Sequence, residues 1–269
     1  MTQQRTGGQV LIDALATNGV DRIFCVPGES YLAALDAMVD HPEIDVHVTR
    51  NEGGASYMAD AYGKLTGRPG ICFVTRGPGA TNASCGLHVA SQDSTPMILF
   101  IGQIAREDTD REAFQEIDYR RMFGQVAKWV AQIEDADRIP EYVNRAFTTA
   151  TSGRPGPVVL VLPEDMLTDL TAAKDLPKAP TLVTQPGSEE VERALAELSK
   201  AERPLVVVGG AGWSEEARKD LEEFATNWDV PVATSFRCQD FFDNNHPNYV
   251  GDMGIAISPE LTQRVKDAD

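Results

Sequence analysis

The chain has 269 residues, 42% of them hydrophobic, so it has the length and composition of one large or two ordinary folded domains and not of a disordered chain. Its formal net charge of −17 argues against nucleic acid as a partner, because phosphate groups would be repelled. The N-terminus lacks the apolar core of a signal peptide and no apolar run is long enough to span a membrane, so we expect a cytoplasmic protein without a membrane partner.

Short apolar runs alternate with longer amphipathic stretches along the first part of the chain. The pattern predicts helices and strands in alternation, beginning with a helix, at residues 10–16, 22–26, 31–39, 45–49, 52–66, 70–75, 82–92, 96–102, 139–151 and 158–162. Such alternation is typical of parallel strands joined by crossover helices. It predicts an α/β fold with a doubly wound, mostly parallel sheet.

The composition changes between residues 168 and 187, where prolines and charged residues replace the apolar runs. We interpret this stretch as a linker between a first domain at residues 1–167 and a second at residues 188–269. The second domain repeats the α/β pattern, with helices at 188–198 and 215–228 and strands at 205–208 and 230–235. Its last helix-like stretch is followed by no strand, so we expect a truncated, incomplete domain and a chain that is a fragment.

Three loops that follow predicted strands have the features of ligand-binding loops. They comprise residues 26–30, 49–55 and 75–82. In an open α/β sheet, ligands bind beyond the carboxyl ends of the strands. Glycine in such loops lets the backbone approach a ligand closely. We therefore expect the three loops to line one site, with Glu52 at the start of a helix within it.

Six short motifs carry a resemblance to a known family. In chain order they are RNEGGA (50–55), GPGATN (77–82), DSTP (93–96), GQ (102–103), FQE (114–116) and TSGRPGPV (151–158). Together they resemble the pyrimidine-binding domain of the acetolactate synthase family. A single motif of this kind is weak evidence, whereas six in the right order and spacing are strong. The resemblance covers residues 6 to about 165 closely and the remainder more loosely.

The resemblance implies a cofactor, thiamine diphosphate, and one catalytic residue, Glu52. In the family, the matching glutamate hydrogen-bonds N1′ of the aminopyrimidine and stabilises the imino form of the 4′-amino group. That group then removes the thiazolium C2 proton and leaves the nucleophilic ylide. The residues at the family's cofactor-binding positions are Pro27, Gly28, Glu52, Gly77, Pro78, Gly79 and Asn82. Gln103 and Gln115 match positions near the active site and the substrate.

Taken without the resemblance, these residues also have plain structural interpretations. Glu52 suits the positive end of a helix dipole, and Asn82 suits a cap. Gln103 and Gln115 would be hydrogen-bonded surface amides. Typical synthases carry Gly-Ala where this chain has Glu29 and Ser30, so a substrate other than pyruvate stays an alternative.

The chain matches the family's binding motifs for other cofactors less well. Family members hold the diphosphate and Mg²⁺ with a Gly-Asp-Gly…Asn-Asn segment in a C-terminal domain, and we find no such segment, so we assign no metal ligand to these residues. The family's middle domain carries FAD, but residues 235–239 and 251–254 depart from its motifs, which leaves FAD uncertain. The stretch 209–212 lacks the full GxGxxG spacing, so a nicotinamide-dependent dehydrogenase is a distant alternative.

By resemblance, the intact protein is expected to be a carboligase that decarboxylates a small-molecule 2-keto acid and adds the product carbanion to a second carbonyl. A decarboxylase of the benzoylformate or oxalyl-CoA type is the first alternative. A non-catalytic dimerisation or regulatory module is the second. The family's site forms between two subunits, so the expected partner is a second copy of the full-length chain, and residues 1–269 alone are expected to be inactive.

Overall fold

The computed structural model describes residues 4–182 and 184–269, while residues 1–3 of the predicted first domain and residue 183 of the predicted linker lie outside the described residues. Contacts divide the chain into two compact units, one ending at Leu182 and the other comprising the residues after it. This division falls within the predicted linker. The detailed bounds 1–167, 168–187 and 188–269 stay a prediction.

The first unit alternates strands and helices along the chain. Its strands are β1 (Arg5–Thr6), β2 (Arg22–Cys25), β3 (Asp45–Val48), β4 (Gly70–Val74), β5 (Met97–Gln103), β6 (Trp129–Gln132), β7 (Pro157–Pro163) and β8 (Leu170–Thr171). Its α-helices are α1 (Gly7–Thr17), α2 (Leu32–Met38), α3 (Glu52–Thr66), α4 (Pro78–Asp93), α5 (Tyr119–Phe123) and α6 (Ile139–Thr151). The alternation predicted from the apolar runs is therefore present.

Six of these strands form one parallel sheet in the order β3-β2-β4-β5-β7-β6. The central strands β4, β5 and β7 are buried along their whole length, as expected where helices cover both faces of a sheet. Alternate residues of β5 enter different cores: Ile98 and Phe100 pack with α1, α2 and α6, whereas Leu99 and Ile101 pack with α3 and α4. The predicted α/β fold with a doubly wound parallel sheet is confirmed.

Part of the predicted linker folds onto the first unit. Strand β8 pairs antiparallel with β1. Farther along, the amide of Ala179 donates to the side-chain oxygen of Asn18 at 2.9 Å. Asn144 donates to the carbonyl of Pro177 at 2.8 Å. The predicted linker therefore contains one short strand, and its proline- and charge-rich part still packs on the first unit.

Two local features differ from the prediction. The apolar pattern predicts no element between residues 102 and 139, whereas α5 and β6 lie there. Strand β6 is a half-buried edge strand, and the Trp129 ring packs against α6, where it stacks on Tyr142 and lies 4.2 Å from the guanidinium of Arg145. Helix α4 begins at Pro78 and not at residue 82, because proline fits the first turn of a helix.

Glycines bring α3 and α4 close together and so position the loops before them. A Cβ added at Gly86 of α4 would lie 2.3 Å from Oγ and 2.6 Å from the backbone carbon of Ser56 in α3. A Cβ at Gly63 would lie 2.3 Å from the carbonyl oxygen of Pro96. Since real Cβ atoms do not approach so closely, the separation of α3 and α4 depends on Gly86, and the approach of α3 to the residues before β5 depends on Gly63.

The second unit contains α7 (Ser188–Leu198), β9 (Val206–Val208), α8 (Glu215–Trp228), β10 (Val232–Ser235), β11 (Tyr249–Met253) and α9 (Pro259–Asp267). Its strands form a parallel sheet in the order β11-β10-β9 around a small core that includes Val208, Val232 and Phe242. The second α/β pattern is thus present, and β11 is the strand that the sequence analysis missed. Across both described segments, none of the helices has the length and apolarity needed to cross a membrane.

Candidate functional site

Glu52 lies in the first turn of α3, directly after the loop that leaves β3. The preceding residue, Asn51, is the N-cap, and its side-chain oxygen accepts a hydrogen bond from the amide of Gly53 at 2.8 Å. Asparagine at this position satisfies a backbone donor that the helix cannot, which fixes where the helix begins. The cap therefore places the half-buried Glu52 side chain at the carboxyl-end edge of the sheet.

Asn82 brings a second helix to the same carboxylate. Its side-chain nitrogen donates to Oε2 of Glu52 at 2.9 Å. Asn82 lies in the second turn of α4, so the contact joins the starts of two neighbouring helices. Glu52 and Asn82 are 30 positions apart in the sequence, and the fold brings them into direct contact.

The predicted glycines surround Thr75, the residue that follows β4. A Cβ at Gly28 would lie 2.7 Å from the Cβ of Thr75, and one at Gly79 would lie 2.9 Å from its Cγ2. The Cβ at Gly79 would also lie 3.4 Å from Oε1 of Glu52. The backbone at Gly79 therefore approaches the carboxylate, and the backbone at Gly28 approaches Thr75, in places where a side chain has no room.

Gly77 connects this cluster to the loop before α5. It has φ +64° and ψ −116°, which favours glycine, and its amide donates to the hydroxyl of Tyr119 at 2.8 Å. A Cβ at Gly77 would lie 2.8 Å from the Cβ of Gln115, whose own φ is +68°. The structure therefore places Gln115 beside the glycine loop, close to the predicted cofactor-binding positions.

Gln103, the last residue of β5, is buried, and its side-chain amide forms hydrogen bonds with backbone groups. Its side-chain nitrogen donates to the carbonyl of Ile117 at 2.9 Å, and its oxygen accepts from the amide of Ile104 at 3.1 Å. These contacts hold the loop that carries Gln115. A direct substrate contact for Gln103 stays a prediction, and the contacts present are those of a residue that positions this loop.

The remaining predicted positions, Pro27 and Pro78, are exposed at the ends of their loops. The hydroxyl of Tyr31 donates to the carbonyl of Val26 and so anchors the loop that contains Pro27. Burial raises the pKa of Tyr31, and the nearby Cys25, Cys72 and Glu52 raise it further. Tyr31 therefore stays a neutral hydrogen-bond donor at the base of the site.

Sequence reasoning missed three residues that build this edge. Ser30 is buried, and its hydroxyl lies 2.7 Å from that of Thr75, which ties the loop after β2 to the loop after β4. Tyr119 holds Gly77, as described. Arg76 is a buried charge that ion-pairs with Glu164. Arg76 could have been identified from the sequence, because it is a charged residue between an apolar strand and a glycine loop.

The residues at this edge fit the aminopyrimidine of thiamine diphosphate. A half-buried carboxylate with one oxygen held by Asn82 suits a ring nitrogen that shares a proton, and the glycines leave space beside it. Within residues 4–182 and 184–269, no group of three or more His, Cys, Asp or Glu side chains is arranged to hold a metal ion.

Comparison with known protein families agrees with this chemistry. Residues 5–122 match the model of the thiamine pyrophosphate enzyme N-terminal TPP binding domain. Residues 191–269 match that of the thiamine pyrophosphate enzyme central domain. The first match contains every candidate residue discussed above, and the second coincides with the smaller sheet.

Curated relatives match most of the chain. An acetolactate synthase of Arthrospira platensis is 35% identical over 93% of this chain and 45% of its own length. A probable acetolactate synthase large subunit of Methanocaldococcus jannaschii is 32% identical over 98% of this chain and 46% of its own. An acetolactate synthase of Bacillus subtilis is 30% identical over 93% of this chain and 44% of its own length. The chain therefore spans less than half the length of these relatives.

Proposed function

Since the chain belongs to the thiamine pyrophosphate enzymes, of which it carries the N-terminal TPP binding domain and the central domain, we propose that its protein is a thiamine-diphosphate-dependent carboligase acting on a 2-keto acid. The observation that carries the proposal is the contact between Asn82 and Glu52 beside the glycine loops. The names of the relatives support the reaction class, because they are acetolactate synthases.

Glu52 is the catalytic residue of this proposal. When bound, thiamine diphosphate supplies the carbon centre at which carbon–carbon bonds break and form. Glu52 holds a proton at N1′ of the aminopyrimidine and so promotes proton movement within the cofactor. Asn82 fixes the carboxylate through Oε2, which leaves Oε1 beside Gly79 for the ring nitrogen. A carboxylate in this position contributes roughly 10²- to 10⁴-fold to a proton transfer.

The remaining predicted residues orient the ligands. Gly28, Gly77 and Gly79 leave space for the aminopyrimidine ring of the cofactor. Gln115 lies beside the glycine loop, where a bound substrate would contact it. We expect the ligands for the diphosphate and Mg²⁺ to lie outside this chain and a second subunit to complete the site. Residues 1–269 alone are therefore expected to give no turnover. FAD is not assigned to the second unit, because residues 235–239 and 251–254 depart from the family's motifs, and flavin fluorescence of the purified full-length protein tests whether it binds.

The test compares full-length wild-type protein with its Glu52→Gln variant. Calorimetry with Mg²⁺ measures thiamine diphosphate binding, and NMR follows exchange of the C2 proton with solvent. We expect binding to change by less than about tenfold and exchange to fall by about 100-fold or more. Wild-type exchange in the variant would refute the role of Glu52. In a product assay, a new carbon–carbon bond supports the carboligase, whereas release of the decarboxylated substrate as an aldehyde or formyl thioester, with no new carbon–carbon bond, identifies the decarboxylase.

A further inference from the structure

Arg76 carries a buried positive charge at the same edge of the sheet as Glu52. Only 8% of its surface is exposed. Its Nη1 donates to Oε2 of Glu164, which follows β7, at 2.8 Å. Its backbone amide lies 3.4 Å from the hydroxyl of Ser30 as a second anchor. A buried guanidinium requires partners for all its donors. A nitrogen of Arg76 that lacks a partner therefore indicates where a ligand would bind.

The other edge of the Arg76 guanidinium has no acceptor within hydrogen-bond distance among the described residues. Nε is buried and has no hydrogen-bond partner among the described residues. Nη2, which shares an edge with Nε, faces Oε1 of Glu29 at 3.6 Å, too far for a hydrogen bond. Paired N–H groups of a guanidinium match the two oxygens of one carboxylate. This edge of Arg76 therefore has the donors for a carboxylate that the protein itself does not place there.

Glu29 is a replaceable partner for this edge. About 72% of its side-chain surface is exposed, so it can turn into solvent with little loss of contact. Exposed ion pairs are weak because water screens the charges. If an incoming carboxylate takes its place, Arg76 still has two carboxylates around it. The exchange therefore conserves the charge balance of the buried group.

Thr75 links this ion pair to the catalytic edge. It directly precedes Arg76 and touches the backbone of Gly28, which directly precedes Glu29. On its other side it touches Gly79, next to Oε1 of Glu52. The exchangeable ion pair and the proposed catalytic carboxylate thus belong to one cluster of loops.

We infer that Arg76 binds the carboxylate of the 2-keto acid through Nε and Nη2, and that Glu29 is the carboxylate that the substrate displaces. Arg76 is then a specificity-determining residue that selects anionic substrates. Glu164 holds the guanidinium in place while its partners exchange. The identity of the substrate rests on the proposed function, whereas carboxylate binding at Arg76 does not.

The test measures binding of propionate, which cannot react, to full-length protein with thiamine diphosphate and Mg²⁺. Propionamide is the neutral match, and ligand-observed NMR gives both dissociation constants. In Glu29→Gln the competing charge is gone, so we expect propionate to bind about tenfold more tightly, equivalent to about 1.4 kcal/mol, with propionamide unchanged. Unchanged propionate affinity, or an equal change for propionamide, would overturn the inference.

Two further variants complete the design. Glu43→Gln removes another exposed carboxylate, one that accepts from His41, and should leave propionate binding at the wild-type value. Arg76→Lys keeps the charge but loses the paired donors, so propionate should bind about tenfold more weakly. If Arg76→Lys does not fold, the propionate affinity of Glu29→Gln alone tests the inference. Propionate binding with this pattern, together with no exchange at cofactor C2, would refute the proposed function and leave the role of Arg76 intact.

Discussion

Asn82 donates to Oε2 of Glu52 at 2.9 Å, and this hydrogen bond joins the starts of α3 and α4. The N-cap bond from the amide of Gly53 to Asn51 fixes the helix that carries the carboxylate, while Asn82 fixes the carboxylate itself. Hydrogen bonds to a charged group are the stronger ones in proteins. The orientation of Glu52 is therefore set by a residue of a different helix.

This relationship predicts the effect of Asn82→Ala. Loss of one hydrogen bond to a carboxylate should free its rotation, and we expect exchange of the C2 proton in the cofactor-loaded full-length protein to fall about tenfold. Affinity for thiamine diphosphate should change much less. Ser84→Ala is the control, because the hydroxyl of Ser84 donates to the carbonyl of Thr81 in the same helix and not to Glu52. Equal exchange in wild type and Asn82→Ala would show that Asn82 does not act on Glu52.

The close contact of α3 and α4 predicts opposite effects for two glycine substitutions. Gly86→Ala would place its Cβ 2.6 Å from the backbone carbon of Ser56, so the helices must separate and the free energy of unfolding should fall by about 1–3 kcal/mol. Gly54→Ala has nothing within 4 Å of its Cβ. It should raise that free energy by up to about 1 kcal/mol, because alanine favours a helix.

Urea denaturation of the chain, followed by fluorescence, measures both glycine variants. Gly54→Ala serves as the matched control for Gly86→Ala, since both add one methyl group to neighbouring helices. A Gly86→Ala protein as stable as wild type would mean that α3 and α4 can move apart without cost.

Sequence alone could predict the framework of the first unit. Strands β4, β5 and β7 are continuous apolar runs, and every residue in them is buried, as expected for strands covered on both faces. Strand β6 is not predicted, because it is a half-buried edge strand whose Trp129 packs against Tyr142 and Arg145 of α6. Edge strands of this kind depend on tertiary contacts that local patterns do not contain.

The candidate site could be predicted to the level of its motifs but not its ion pairs. The resemblance placed Glu52 and Asn82 near one cofactor, and the fold brings them into contact. No local pattern links Arg76 with Glu164, which is 88 residues away. That contact exists because β4 and β7 end at the same edge of the sheet, so only the sheet order reveals it.

The cysteines should differ in reactivity. Burial raises the pKa of Cys25 to about 11 and also raises that of Cys72, whereas Cys85 is exposed on α4. Since the thiolate is the reactive form, iodoacetamide at pH 8 should modify Cys85 rapidly and leave Cys25 and Cys72 unmodified until the chain unfolds. Peptide mass spectrometry over a time course measures the order. Early modification of Cys72 would contradict the burial of β4.

His41 should make stability depend on pH. Partial burial lowers its pKa, but hydrogen bonds to Glu43 and Asp13 outweigh this effect, and the net pKa is raised. A raised pKa in the folded state means that folding takes up a proton, so the stabilisation is complete below the unfolded value of about 6.5 and is lost as the pH rises through the folded value. The free energy of unfolding should therefore differ between wild type and His41→Asn more at pH 5.5 than at pH 8.5.

Urea denaturation at the two pH values measures this difference. His88→Asn is the control, because His88 is an exposed histidine of α4. Its substitution should change stability by a similar small amount at both pH values. A His41→Asn effect that is equal at the two pH values, or larger at pH 8.5, would show that the protonated imidazole does not bridge Asp13 and Glu43. In that case the ring would stabilise the turn before β3 through packing alone.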